Sequence, residues 1–178
     1  MGALSEADRV SRRVLVTGSR DWPDPKPVIY ALNSQWLKAH KKGEKLVVVQ
    51  GECPKGADLF AAEWAQFRED RGCRVKNESH PADWDRDCDY HCTHPPRWKW
   101  GKPYCPLAGH LRNQAMVDLG ADICIAFPLK DSRGTWDCMK RAKKAGISVI
   151  NFGYDGPLCA PWIDYHIDPH TGPCARAR

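Results

Sequence analysis

Four short stretches of the chain combine glycine, hydroxyl and charged residues in orders that suit an anionic ligand. Thr17, Gly18, Ser19 and Arg20 place a turn-forming glycine, a hydroxyl and a forked guanidinium in succession, a set that fits phosphate. Read alone, they are a strand-to-loop turn with an exposed arginine. Gly51 and Gly56, five apart, precede Ala57 and Asp58, where a Walker-type loop would need Lys and Ser/Thr. That excludes a Walker-type nucleotidase, but a glycine-rich turn before a helix still offers free N–H groups to an anion. Asp58 would either complement the helix dipole or accept a bond from a ribose hydroxyl. Arg112 and Asn113 are expected in a first helical turn, where a cation opposes the dipole unless an anionic ligand is present. Gly134 and Thr135 open a further helix, with Asp137 expected inside its first turn.

A second kind of chemistry is concentrated between residues 85 and 108. Cys88, His91, Cys92, His94 and Cys105 place five metal-binding side chains in a stretch without a hydrophobic core of its own. Thiolate and imidazole donors in such a loop suit a tetrahedral structural zinc, with Cys88, Cys92, His94 and Cys105 the best four. The alternative is that the thiols are incidental. Cys159, His166, His170 and Cys174 repeat the theme near the end of the chain, and there surface histidines are the simpler reading. The same insertion interleaves Trp84, Tyr90, Trp98, Trp100 and Tyr104 with Arg86, Arg97, Lys99 and Lys102. The aromatics are expected to form a mini-core that orders the loop and to close over a ligand as a lid. Stacking on single-stranded nucleic acid is the alternative.

The elements that must position these groups follow from hydrophobic pattern. Buried strands are expected at 13–18, 45–51, 122–127 and 147–150, and a weaker, polar one at 73–80. Helical spacing links Ile29, Leu32 and Trp36, then runs over 57–71, resumes with Leu111, Ala115 and Leu119, and covers 135–145. Strand and helix alternate with short connections, which specifies an α/β, Rossmann-like three-layer sandwich around a mainly parallel five-stranded sheet. Ligands of such sheets bind at the carboxyl ends of the strands, where all four anion-suited stretches fall. The insertion at 85–108 is expected to be irregular, as is the tail at 153–178, and residues 1–11 form an N-terminal extension outside the 12–152 domain.

With 178 residues, 42% hydrophobic and 28% charged, the chain has the composition of one globular domain and is too apolar for a disordered one. No apolar run approaches the roughly 20 residues of a membrane-spanning helix. The residues after Met1 lack the apolar stretch of a signal peptide, so the expectation is a cytoplasmic protein without a membrane partner. A net charge of +5 tolerates an anionic ligand without marking a nucleic-acid binder. Nine cysteines, an odd number, argue against a disulfide framework in that compartment and leave metal binding or burial.

Taken in order, residues 16–22, 51–61, 80–84, 112–116, 120–122 and 133–135 resemble the motifs of the SLOG superfamily. These are Rossmann-like domains related to the Lonely Guy and SMF proteins. The likeness is to their small stand-alone YspA-like branch, common in phage and actinobacteria, and covers roughly residues 12–152. The resemblance implies a site for a nucleotide or nucleotide-derived ligand, with no other organic cofactor, and pairing of copies through helices beside the site. In Lonely Guy phosphoribohydrolases an Arg matching Arg112 and a Glu approximated by Asp137 are catalytic. The glycine-rich loop of those enzymes is reduced here to Gly134 and Thr135. The first expectation is therefore a binding or sensing protein using Gly18, Ser19, Arg20, Gly51, Gly56, Asp58, Arg112, Asn113, Gly134 and Thr135. Hydrolysis of the N-glycosidic bond in nucleoside 5′-monophosphates or ADP-ribose-like compounds comes second, and single-stranded nucleic-acid binding third.

Overall fold

The computed structural model describes residues 10–90, 92–95 and 97–153. Its elements are β1 (Ser11–Gly18), α1 (Pro25–Lys41), β2 (Lys45–Gln50), α2 (Ala57–Asp70), β3 (Val75–Ser79), β4 (Arg97–Lys99), β5 (Lys102–Tyr104), α3 (Ala108–Asp118), β6 (Ile123–Phe127), α4 (Arg133–Lys144) and β7 (Val149–Asn151). Five strands form one parallel sheet in the order β3-β2-β1-β6-β7. The expected α/β sandwich is present.

Alternate residues of the same strands feed two separate cores, because successive strand side chains point to opposite faces. Val14, Val16, Leu46 and Val48 belong with Leu32 and Trp36 of α1 and Ala61 and Trp64 of α2. Leu15, Val47 and Val49 belong with Met116 and Val117 of α3 and Cys138 and Ala142 of α4. Each fully buried valine or leucine contributes about 1.5–3 kcal/mol relative to exposure. The middle strands are therefore buried on both sides, and their sequences read as continuous apolar runs.

Helix ends follow local chemistry. Asp24 caps α1 by accepting from the Lys26 N–H at 2.9 Å, and Lys38, His40 and Lys41 complement its carboxyl end. β3 lies at the sheet edge and is the polar strand expected there. Its Glu78 receives Arg13 at 2.7 Å and His80 at 3.0 Å.

Three expectations are corrected. The insertion is not wholly irregular: β4 and β5 pair as an antiparallel hairpin, too short to leave a period in the sequence. Helix α3 begins at Ala108, so Arg112 and Asn113 lie in its second turn. Helix α4 begins at Arg133, and Asp137 likewise falls beyond its first turn. His91, Cys159, His166, His170 and Cys174 lie outside the described residues, as does the tail assigned to 153–178 apart from Gly153.

Candidate functional site

The chain leaves β1 in one direction to build β2 and β3, while β6 and β7 lie on its other side. Between the carboxyl ends of β1 and β6 this reversal opens a crevice, the usual ligand position of an open parallel sheet. A cavity of about 960 Å³ occupies that place. The turn after β1 contributes Gly18, Ser19 and Arg20, and the segment after β6 contributes Lys130, Ser132, Arg133, Gly134 and Thr135. Asp58, Arg112 and Asn113 also line it, so eight of the ten residues expected to bind ligand reach one space.

Gly51 and Gly56 do not line it. Their glycine is required by close packing: a side-chain carbon on Gly51 would overlap the Arg112 guanidinium and crowd the Asp58 carboxylate. One on Gly56, at φ +75°, would strike the backbone of Ser19 and Arg20. The loop after β2 is thereby held on the loop after β1, and the Ala57 N–H donates to the Ser19 carbonyl at 3.2 Å. Gln50, wholly buried, steadies the same loop by donating to Ser79 Oγ at 2.6 Å and accepting from the Glu52 N–H.

Asp58 is only 6% exposed, and its Oδ1 has no hydrogen-bond partner. Burial pushes its carboxyl up to about 6, although the Arg112 charge and the backbone N–H groups of Gly51, Cys53 and Gly18 pull the other way. Arg112 is half-buried, donating to the Gly51 and His80 carbonyls. On the rim, Arg20, Lys130 and Arg133 are exposed and form no ion pair among the described residues. The first turn of α4 opens beside them: nothing lies within 4 Å of where a Gly134 side chain would begin. Helix N-termini leave backbone N–H groups without partners inside the helix, and those groups suit an anion.

Asp137 is placed differently from the expectation. It does not line the cavity; it accepts from Arg141 Nε at 2.8 Å and Asn113 Nδ2 at 3.0 Å, with His110 Nδ1 at 3.1 Å. Burial works to raise its carboxyl, but those hydrogen bonds outweigh it and hold Asp137 below the usual carboxylate range. Asn113 also donates to the Gly134 carbonyl at 3.0 Å, so Asp137 fixes the amide that holds the α4 turn. Cys53, Lys130, Ser132, Arg133 and Asn151 also line the cavity, and of these the sequence marked only Arg133, as the start of the 133–135 motif. A lysine or serine in a loop carries no motif; only proximity to Gly134 and Thr135 in the chain pointed towards Lys130 and Ser132.

The insertion supplies a second centre. Donor atoms of Cys88, Cys92, His94 and Cys105 all lie within 4.8 Å of one another, a group that could hold a metal ion. Cys88 Sγ and Cys105 Sγ lie 3.6 and 3.7 Å from His94 Nε2, and Cys92 Sγ lies 3.8 Å from Cys105 Sγ. His94 Nδ1 is 2.8 Å from the Pro95 carbonyl; donating to it frees Nε2 as the ligand. Arg86 donates to Cys92 Sγ at 3.4 Å and Cys105 Sγ at 3.3 Å, offsetting thiolate charge. Burial works to raise Cys105, yet the His94 and Arg86 hydrogen bonds prevail and hold its thiol down at about 6. Cys53, Cys124 and Cys138 are the other free thiols among the described residues, and Cys73 is disulfide-bonded, where the cysteine count argued only against a disulfide framework.

The aromatics of the insertion do not form the expected mini-core. Tyr90 is 89% exposed, Trp98 66% and Trp100 91%, and none of the five lines the cavity as a lid. Trp84 sets its ring against Gly109 of α3. Strands of only three residues, flanked by cations, provide no apolar layer to receive an indole turned inward.

The profile of the family described as YspA, cpYpsA-related SLOG matches residues 12–86. The gene 61 protein of Mycobacterium phage D29 is 45% identical over 142 residues, which is 80% of this chain and 97% of that protein. In fold the chain is similar to DNA processing protein A (DprA) from Streptococcus pneumoniae, with a TM-score of 0.52 and 17% identity. That likeness covers 82% of this chain and about half, 51%, of the DprA chain.

Proposed function

The chain belongs to the YspA, cpYpsA-related SLOG family, and on that premise we propose that it binds a nucleotide or nucleotide-derived ligand in the cavity between β1 and β6. One observation carries the reading: a buried carboxylate with an unpartnered oxygen lies in the same cavity as an open helix N-terminus and unpaired cations. Phosphate would be held by the first turn of α4 with Arg20, Lys130 and Arg133. Asp58 would accept a ribose hydroxyl, which satisfies the oxygen left without a partner. Arg112, committed to two carbonyls, keeps Asp58 in place and lends it charge. Binding without turnover makes the protein a sensor or a sequestering module.

Hydrolysis of an N-glycosidic bond is the second reading, and the raised Asp58 favours it. A carboxyl near 6 in a cavity can exchange a proton at neutral pH, whereas Asp137 is held ionised by three donors. If the chain cleaves such a bond, Asp58 is the carboxylate that acts and Asp137 positions Asn113.

For the second centre we propose zinc. In a tetrahedron with metal–sulfur bonds of about 2.3 Å and metal–nitrogen bonds of about 2.0 Å, neighbouring sulfurs lie about 3.8 Å apart and sulfur and nitrogen about 3.5 Å. Three of the six donor separations, at 3.6–3.8 Å, are close to those edges, and all six lie within 4.8 Å. Zinc would be structural there, closing the loop from Cys88 to Cys105.

The test is incubation of purified protein with nucleoside monophosphates, NAD, ADP-ribose and cyclic derivatives, reading bound ligand and products by mass spectrometry. An intact ligand retained by the wild type and lost in Asp58→Asn supports binding. Free base or ribose phosphate supports the hydrolase reading. No retention and no turnover across the panel overturns both.

A further inference from the structure

The hairpin of β4 and β5 carries three features that its own folding does not call for. Trp100 sits at φ +50°, a conformation that glycine adopts freely and a bulky residue resists; with Gly101 at φ +74° it makes the two-residue turn. Lys99 stands directly opposite Lys102, like charges facing across the strands. Trp98 and Trp100 expose their indoles, with Lys99 Nζ 4.5 Å above the Trp100 ring. Arg97 adds a third cation, and residues 97–104 contain no carboxylate. None of these choices buries apolar area or satisfies a polar group of the fold.

All three suit a flat, polyanionic partner. Indole faces stack on unpaired bases of any identity, while flanking lysines neutralise phosphates. The hairpin is also anchored rather than loose. His94 and Cys105 of the metal-suited cluster flank it, and the Cys105 N–H donates to the Trp84 carbonyl at 3.1 Å. We propose that the Trp98–Trp100 hairpin is a binding surface for single-stranded nucleic acid, separate from the nucleotide cavity, which none of its residues lines. An anionic membrane would meet the same charges and the same indoles, so vesicle binding is an outcome that the test separates.

The test uses the full chain with its metal content measured, and fluorescence anisotropy of a labelled oligothymidylate. Binding at about 50 mM salt should weaken as salt rises with a log–log slope of about −2, three cations at roughly 0.7 each. Trp100→Gly is the decisive variant, because glycine fits the turn better than tryptophan does. It should keep or raise the melting temperature while affinity falls about tenfold or more. Replacing Lys99 and Lys102 together by Gln should flatten the salt slope by about 1.4. No binding at low salt, unchanged affinity in Trp100→Gly, or binding to phosphatidylserine vesicles in place of oligonucleotides overturns the proposal. Nucleotide retention by the cavity, measured on the same variant, should not change, so this proposal and the cavity reading fail separately.

Discussion

Burial of the Asp58 carboxyl governs both the chemistry of the cavity and the response of the fold to pH. Its raised value means that the folded chain binds a proton between about pH 3.8 and 6 that the unfolded chain has released. Stability therefore falls as pH rises through that window and stays lower above it, by about 3 kcal/mol at most. Asp58→Asn removes the effect, so the variant should gain on the wild type between pH 4 and 6.5 in thermal melts across a pH series. Glu78 works in the opposite sense. The Arg13 hydrogen bond holds it at about 2, so its contribution is present above the ordinary carboxylate range and lost as pH falls towards 2. Comparing Asp58→Asn with wild type at each pH isolates the first from the second. Asp58 was legible in the sequence only as an even choice between helix-dipole and ligand roles. Choosing between them requires knowing how deeply α2 sinks its first turn, and no local pattern carries that depth.

Among the elements, the loop between β2 and α2 is set by contact rather than by propensity. Gly51→Ala would drive a methyl group into the Arg112–Asp58 pair, with an expected loss of about 1–3 kcal/mol and of ligand retention together, measured by denaturant unfolding and mass spectrometry. The spacing of Gly51 and Gly56 looked like an anion loop in the sequence. The structure gives both glycines a packing duty, because a glycine pattern reports close approach without saying to what. The insertion carries its own cluster of metal-suited donors. Cys105→Ser should lower the metal content below one ion per chain and expose Arg97 and Lys99 to trypsin while the sheet resists cleavage. Equal resistance of wild type and variant would remove the metal from the account of this loop. The hairpin itself escaped the sequence, since three residues a side are too few to establish a period of two.

At the scale of the whole molecule, the sheet order decides where ligand chemistry can gather. Four sequence-distant stretches meet because β1 has β2 on one side and β6 on the other. A nucleotide that binds this crevice should stabilise the chain by about 2.7 kcal/mol at a hundredfold excess over its Kd. For a domain of this size that is a rise in Tm of about 5–11 °C, absent in Asp58→Asn. The described residues contain no helix long and apolar enough to cross a membrane.

The order of strands and helices and the buried runs were determined by the sequence alone, because burial on both faces of a parallel strand writes itself as an uninterrupted apolar run. So was the grouping of Cys88, Cys92, His94 and Cys105, whose nearness in the chain constrains their nearness in space. Tertiary structure decided the rest. It removed Asp137 from the cavity by surrounding it with Arg141, His110 and Asn113, and buried Asp58 beneath Arg112. It also turned Trp98 and Trp100 outward. These outcomes depend on how deeply each helix settles on the sheet and on which side chains arrive from the neighbouring helix. Those distances are properties of the assembled core, and residues far apart in the chain cannot encode them locally.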